Sequence, residues 1–285
     1  MYPCSGGFSY RGLHVGCHAH PSPLSLIPAI ATSCNGYFCW GLYYMIGARQ
    51  KYGSVQKAMN TWRDYMVSMG FGYQLGIDLP GEKRGMIPNA QYYDKAYRRS
   101  WNGLTIISIS IGQGEVTATP LQIANLGATI ANRGYFVTPH VVKEIEGESI
   151  DSIYTTRRYT KVDKGHYEEV VQGMRSAVLG GTCRTANIPE LEICGKTGTA
   201  QNHGKDHSAF IGFAPYKNPK VAICVYVQNG GFGAAFGVPI GKLMMEYYLK
   251  GEISPEDKAL EEKMTNSVVT EDRVYLLSDY GVQKD

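Results

Sequence analysis

Glu192-Ile193-Cys194-Gly195-Lys196-Thr197-Gly198-Thr199-Ala200 opens apolar and turns polar within one strand length. A polar loop, residues 201–207, follows it. Two apolar runs come next, Ser208 to Pro215 (SAFIGFAP) and Val221 to Val227 (VAICVYV), with Lys217-Asn218-Pro219-Lys220 between them. Asn and Pro favour turns, so the pattern predicts a strand, a loop and a hairpin of two buried strands. Lys196, Thr197 and Gly198 then set an ammonium, a hydroxyl and a side-chain-free backbone in a row. Those groups suit a carboxylate and a developing oxyanion.

A site of that kind needs a hydroxyl and an amide nearby, and Ser33-Cys34-Asn35 offers both upstream. Read alone, Ser33 and Asn35 are helix-capping residues ahead of an aromatic core helix carrying Tyr37, Phe38, Trp40, Tyr43 and Tyr44. Read with the Lys-Thr-Gly strand, they complete two parts of a three-part signature, S-x-x-K, S-x-N and K-T-G, that recurs in serine acyl-transferases. The two parts stand in the signature's order along the chain.

The rest of the chain frames these motifs. A helical tract over 24–47 is broken around Pro28 and around 33–36. Ser54 caps an amphipathic helix with Val55, Met59, Trp62, Met66 and Met69 on one face. Residues 70–85 form a loop with a Pro80-Gly81 turn. Thr119 and Pro120 open a helix that stops at Asn132-Arg133-Gly134. Asp163 starts another that ends at Gly180-Gly181, and a last helix runs from about Pro239 to Lys250. Helices, then three consecutive antiparallel strands, then a covering helix make an α+β fold: an antiparallel sheet flanked by helices.

The totals exclude several classes. With 285 residues the chain can bury one large core or two small ones. A net charge of +3 is too mild to argue for nucleic acid. The N-terminus lacks a signal core, and no apolar run approaches the roughly 18 residues that span a membrane. Seven cysteines are an odd number, so at least one stays unpaired within the chain. Cys34, Cys39, Cys194 and Cys224 lie in apolar surroundings and read as buried thiols. Residues 1–25 read as irregular, and there Cys4, His14, Cys17, His18 and His20 leave three readings open. They are loop packing, a zinc site of a spacing that matches no common module, or a Cys4–Cys17 disulfide.

Taken together, the motifs resemble the transpeptidase domain of class B penicillin-binding proteins, most closely the elongation type, penicillin-binding protein 2. The resemblance also rests on Phe71 to Gly81 (FGYQLGIDLPG), Ile111-Gly112-Gln113-Gly114, Thr119 to Ala124 (TPLQIA), residues 131–134 and Lys196 to Ala200. It covers about residues 1–250 and leaves 251–285 as a charged tail, read as partly disordered. The implied fold is the penicillin-binding/serine β-lactamase type. The implied chemistry is peptidoglycan D,D-transpeptidation: a serine attacks a D-Ala-D-Ala stem peptide, and β-lactams acylate the same serine. The resemblance gives Lys196 and Ser33 the proton relay, Asn35 the substrate amide, Thr197 and Thr199 the substrate carboxylate, and Gly198 the room for substrate on the strand edge. It implies no cofactor, no resident metal and no nucleic acid. Its partners would be stem peptides, β-lactams and the membrane-embedded elongation machinery, at the periplasmic face of the bacterial inner membrane.

One part of the signature is displaced. None of Ser5, Ser9, Ser22 or Ser25 has Lys at +3; Ser54-Val55-Gln56-Lys57 does, but it follows Ser33 and reads as a helix cap with a surface lysine. The expectation is therefore a C-terminal portion of the domain. Its nucleophile, membrane anchor and part of its helical layer would lie upstream, and the chain alone would be inactive. Two alternatives stand beside it. A β-lactamase or D,D-carboxypeptidase relative would want a deacylating Glu, and none of Glu82, Glu115, Glu144 and Glu146 stands out. A catalytically silent penicillin-binding or scaffold module is the other.

Overall fold

The computed structural model describes residues 1–270 and 274–276. They form two compact units, 1–29 with 33–170, and 30–32 with the chain from 171 onward.

The first unit opens with an antiparallel hairpin, β1 (Gly7–Tyr10) and β2 (Leu13–Gly16), where the sequence reads as irregular. Arg11 and Gly12 close it, both at positive φ (48° and 81°), the two-residue turn whose twist matches the strands. Helices α1 (Leu26–Ala31), α2 (Asn35–Gly47), α3 (Arg49–Tyr52), α4 (Val55–Ser68), α5 (Ala90–Ala96) and α6 (Pro120–Ala131) follow. Pro28 does not break α1: it sits in the first turn, where a missing N–H costs no hydrogen bond. Phe8, Cys39, Leu42, Ile46, Met59 and Tyr93 are buried in one core that joins the hairpin to α2, α4 and α5. The α6 start is a complete capping box. The Thr119 hydroxyl accepts the Gln122 N–H, and the Gln122 side chain accepts the Thr119 N–H. A short hairpin, β3 (Tyr135–Val137) with β4 (Arg157–Tyr159), precedes α7 (Lys164–Leu179), within which the unit boundary falls.

The second unit holds an antiparallel sheet in the order β5 (Cys194–Ala200), β6 (His207–Ala214), β7 (Val221–Val227). Lys196 pairs with Ile211, Gly198 with Ala209 and Thr199 with Ser208. Helix α8 (Gly237–Lys250) packs on the sheet and buries Val238, Leu243 and Met245. Cys224 of β7, read as buried, is only half-buried. The stretch beyond Gly251 is ordered through α9 (Lys258–Asn266) and the hairpin β8 (Ser267–Val269) with β9 (Val274–Leu276). Residues 271–273 and 277–285 lie outside the described residues. Lys242 on α8 pairs with Asp257 at 2.5 Å, and both side chains are largely buried.

One close approach in this unit is at Phe210. A Cβ on Gly195 would come within 2.4 Å of its ring, one on Gly212 within 2.7 Å, and one on Gly241 of α8 within 2.4 Å. Three glycines therefore let two strands and a helix close on one buried ring. Gly195→Ala is expected to overpack this point and lower stability by about 1–3 kcal/mol, read as a lower urea midpoint at unchanged slope.

Candidate active site

Ser33-Cys34-Asn35, in the first unit, is a tight turn between α1 and α2. Ser33 takes φ 56°, a left-handed conformation that costs a non-glycine residue about 1–2 kcal/mol. The Cys34 N–H donates to the Ala29 carbonyl at 2.9 Å, the bond that terminates a helix through a left-handed residue. The α2 cap is neither Ser33 nor Asn35, as the sequence suggests, but Cys34, whose Sγ accepts the Tyr37 N–H at 3.3 Å. Asn35 is already the first helical residue. Its Nδ2 donates to the Gly16 carbonyl of β2 at 2.9 Å, so the hairpin orients this amide. Ser54, the S-x-x-K serine, accepts the Lys57 N–H at 3.2 Å as the α4 cap.

The turn also brings ligand atoms together. The donor atoms of Cys4, Cys17, His20 and Cys34 all lie within 4.8 Å of one another. Cys17 Sγ and His20 Nε2 are 3.3 Å apart, and His20 Nδ1 lies 2.7 Å from the Pro21 carbonyl. A ring nitrogen held by a carbonyl leaves the other nitrogen's lone pair for a cation. Gly36 makes room, since a Cβ there would come within 2.9 Å of Cys4 Sγ. Burial pushes the Cys34 thiol up to about 12 and raises Cys17. A divalent cation reverses that by binding the thiolate form. Three thiolates and one imidazole fit tetrahedral zinc. His14 and His18 are not part of this group, and Cys34, read from sequence as a buried thiol, is.

Lys196, Thr197, Gly198 and Thr199 lie together on β5 in the second unit. Lys196 Nζ donates to the Thr197 carbonyl at 3.0 Å and to its Oγ1 at 3.4 Å. Loss of hydration on burial pulls the Lys196 pKa below the ordinary lysine value, while the Cys183 thiol opposes the shift. A lowered pKa eases proton release, as relay chemistry requires. The Thr199 hydroxyl accepts the Gly233 N–H at 3.2 Å. A Cβ on Gly233 would come within 2.5 Å of the Gly198 carbonyl oxygen, so the loop after β7 lies flush on Gly198. Among the described residues β5 is an edge strand of its sheet, open to an added extended segment. Sequence reasoning missed Gly233, whose glycine-rich loop was the visible signal.

Purified chain is expected to carry about one zinc by elemental analysis, and cobalt substitution to give a thiolate charge-transfer band. Cys34→Ala should lose both the metal and several degrees of melting temperature. A metal-free chain whose melting temperature ignores added zinc would contradict the assignment.

The penicillin binding protein transpeptidase domain model matches residues 5–246. Peptidoglycan D,D-transpeptidase MrdA of Acinetobacter baumannii is 35% identical over 243 residues, covering 78% of this chain and 34% of that protein. The structure of Pseudomonas aeruginosa PBP2 in complex with WCK 5153 is 31% identical with a TM-score of 0.67, covering 82% of this chain and 50% of that one. A complex between PBP2 and MreC from Helicobacter pylori is 28% identical with a TM-score of 0.64, covering 81% of this chain and 41% of that one. The chain thus spans about a third of the length of the first curated relative and half or less of these solved ones. With the family model matched over residues 5–246 and a relative 35% identical over most of this chain, the chain belongs to the penicillin-binding protein transpeptidase family.

Proposed function

We propose that this chain carries the carboxylate-binding and proton-relay part of a peptidoglycan D,D-transpeptidase, a serine acyl-transferase. The observation that carries the reading is β5: a desolvated ammonium at Lys196 and hydroxyls at Thr197 and Thr199 on an edge strand. In this reading Lys196 draws in the terminal carboxylate of a D-Ala-D-Ala stem peptide, and the Thr197 and Thr199 hydroxyls hold it. Ser33 passes a proton to the leaving amine, and Asn35 holds the peptide amide. The Thr199 N–H is one of two oxyanion donors; loss of such a donor typically costs about 10²–10³ in rate. Gly198 keeps the edge free of a side chain. β-Lactams take the place of the stem peptide.

Ser54 is disfavoured as the attacking serine: its hydroxyl accepts the Lys57 N–H as the α4 cap, and its S-x-x-K follows Ser33 in the chain. The Helicobacter pylori PBP2 complex with MreC supports assembly with cell-wall machinery, and a place at the periplasmic face of the bacterial inner membrane rests on the family resemblance alone. Among the described residues no helix is long and apolar enough to cross a membrane. A β-lactamase reading is less favoured: the Glu82 carboxylate accepts the Leu75 and Gly76 N–H groups at 2.6 and 2.9 Å, and Glu115 accepts from the Tyr93 hydroxyl at 3.0 Å. Both carboxylates are committed to local structure.

Incubation of the chain with a fluorescent penicillin tests this. The expected result is reversible binding by fluorescence polarisation and no added mass, with binding weakened at least about tenfold in Lys196→Ala. A stoichiometric adduct on Ser54 would contradict the reading. An adduct that hydrolyses with turnover would favour the β-lactamase alternative.

A further inference from the structure

The Lys-Thr-Gly strand does not hold its own hydroxyl. Thr197 Oγ1, which accepts from Lys196 Nζ at 3.4 Å, donates onward to Thr182 Oγ1 at 3.0 Å. Thr182 follows the Gly180-Gly181 end of α7, far from β5 in sequence. Its place is set by backbone rather than by side-chain packing. The Thr182 N–H donates to the Ala31 carbonyl at 3.1 Å, and the Cys183 N–H donates to the Ala177 carbonyl at 3.0 Å. A Cβ on Gly181 would come within 2.1 Å of the Ala31 oxygen and 2.8 Å of the Ala177 Cα. The turn is therefore pressed onto α1 and α7, and the Thr182 hydroxyl is delivered to β5 on a rigid mount.

We propose that Thr182 is a positioning residue for the Lys196–Thr197 pair, holding the Thr197 hydroxyl as a donor so that its lone pairs face the Lys196 ammonium. The proposal deepens the transpeptidase reading and rests on it. A hydroxyl has one proton and two lone pairs. With that proton committed to Thr182, Thr197 accepts from the ammonium and keeps a second lone pair for a donor on bound substrate. Without Thr182 the proton is free to rotate toward Lys196, and the oxygen no longer offers the ammonium a fixed acceptor. The titratable neighbour in this cluster is the buried Cys183 thiol, pushed up to about 11 and so neutral at physiological pH. Thr182 Oγ1 and Cys183 Sγ lie 4.0 Å apart. The hydroxyl pair thus stands beside the Thr197 carbonyl as a dipole facing the ammonium.

The test uses the full chain with carbon-13 at the lysine ε positions. The Lys196 signal, identified by its loss in Lys196→Arg, is followed against pH. Thr182→Val is expected to lower the Lys196 midpoint by about 0.5–1 pH unit, the worth of one hydrogen-bonded hydroxyl. Thr182→Ser should titrate like the parent chain. If Thr182 acts through Thr197, the Thr182→Val/Thr197→Val double variant should have the same midpoint as Thr197→Val alone. An unchanged midpoint in a folded Thr182→Val chain, or full additivity in the double variant, would overturn the proposal. Should Thr182→Val not fold, the comparison of Thr182→Ser with Thr182→Ala decides the same question. Binding of N-acyl-D-Ala-D-Ala to the parent chain is measured in parallel. Its absence would count against the transpeptidase reading while the titration still reports on Thr182.

Discussion

Phe210 is the point on which the second unit depends. Its ring lies so close to Gly195, Gly212 and Gly241 that none of the three has room for a Cβ, and β5, β6 and α8 close on it through these positions. The ring itself is almost fully buried. Close packing of this kind behaves as a fixed joint, because interiors at crystal-like density resist small displacements. Gly195 immediately precedes Lys196. The joint therefore sets where the ammonium enters, and the Gly233 loop, flush on Gly198, sets the other end of the same short segment. Between these clamps Lys196 and Thr197 present their groups from a closely packed strand. Preorganisation of that kind is what an electrostatic site needs.

The first unit solves a similar problem with less material. Ser33 accepts a strained left-handed φ, and strain of that sort persists only where the surroundings over-determine it. Here the surroundings are the terminating bond from Cys34 to Ala29, the Cys34 cap on α2 and the tether from Asn35 to β2. Cys34 thus closes one helix, starts the next and stands among three further metal-ligating side chains. A cation there would tie the N-terminal loop to the turn that carries Ser33 and Asn35. The three thiolate ligands make such a tie sensitive to oxidation as well as to chelation.

Much of this was legible in the sequence, for physical reasons that differ by element. The β5 to β7 strands read clearly because two apolar runs are separated by turn residues, although β7, expected to be buried, buries only Val225 and exposes Tyr226. The α6 start read clearly because Thr119, Pro120 and Gln122 act locally. The β1–β2 hairpin did not, because its turn uses Arg11, a residue rarely found at positive φ, within a stretch crowded with Pro, His and Cys. The cap at Cys34 was missed because sulfur is a weak acceptor and serine and asparagine flank it. The metal-ligating group was only half visible: Cys4, Cys17 and His20 were candidates, but Cys34 joins them through the fold. Thr182 had no signal at all, since its role exists only once α7 and β5 are adjacent.

The central claim is that β5 holds the carboxylate end of a D-Ala-D-Ala peptide. The most direct measurement is a titration of the nitrogen-15-labelled chain with N-acyl-D-Ala-D-Ala, following each amide, beside the same titration with the L-Ala-L-Ala peptide. The account predicts saturable shifts concentrated at Lys196 to Ala200 and at Gly233, with the L,L peptide at least several-fold weaker. Equal binding of both peptides, or shifts confined to residues away from β5, would contradict it.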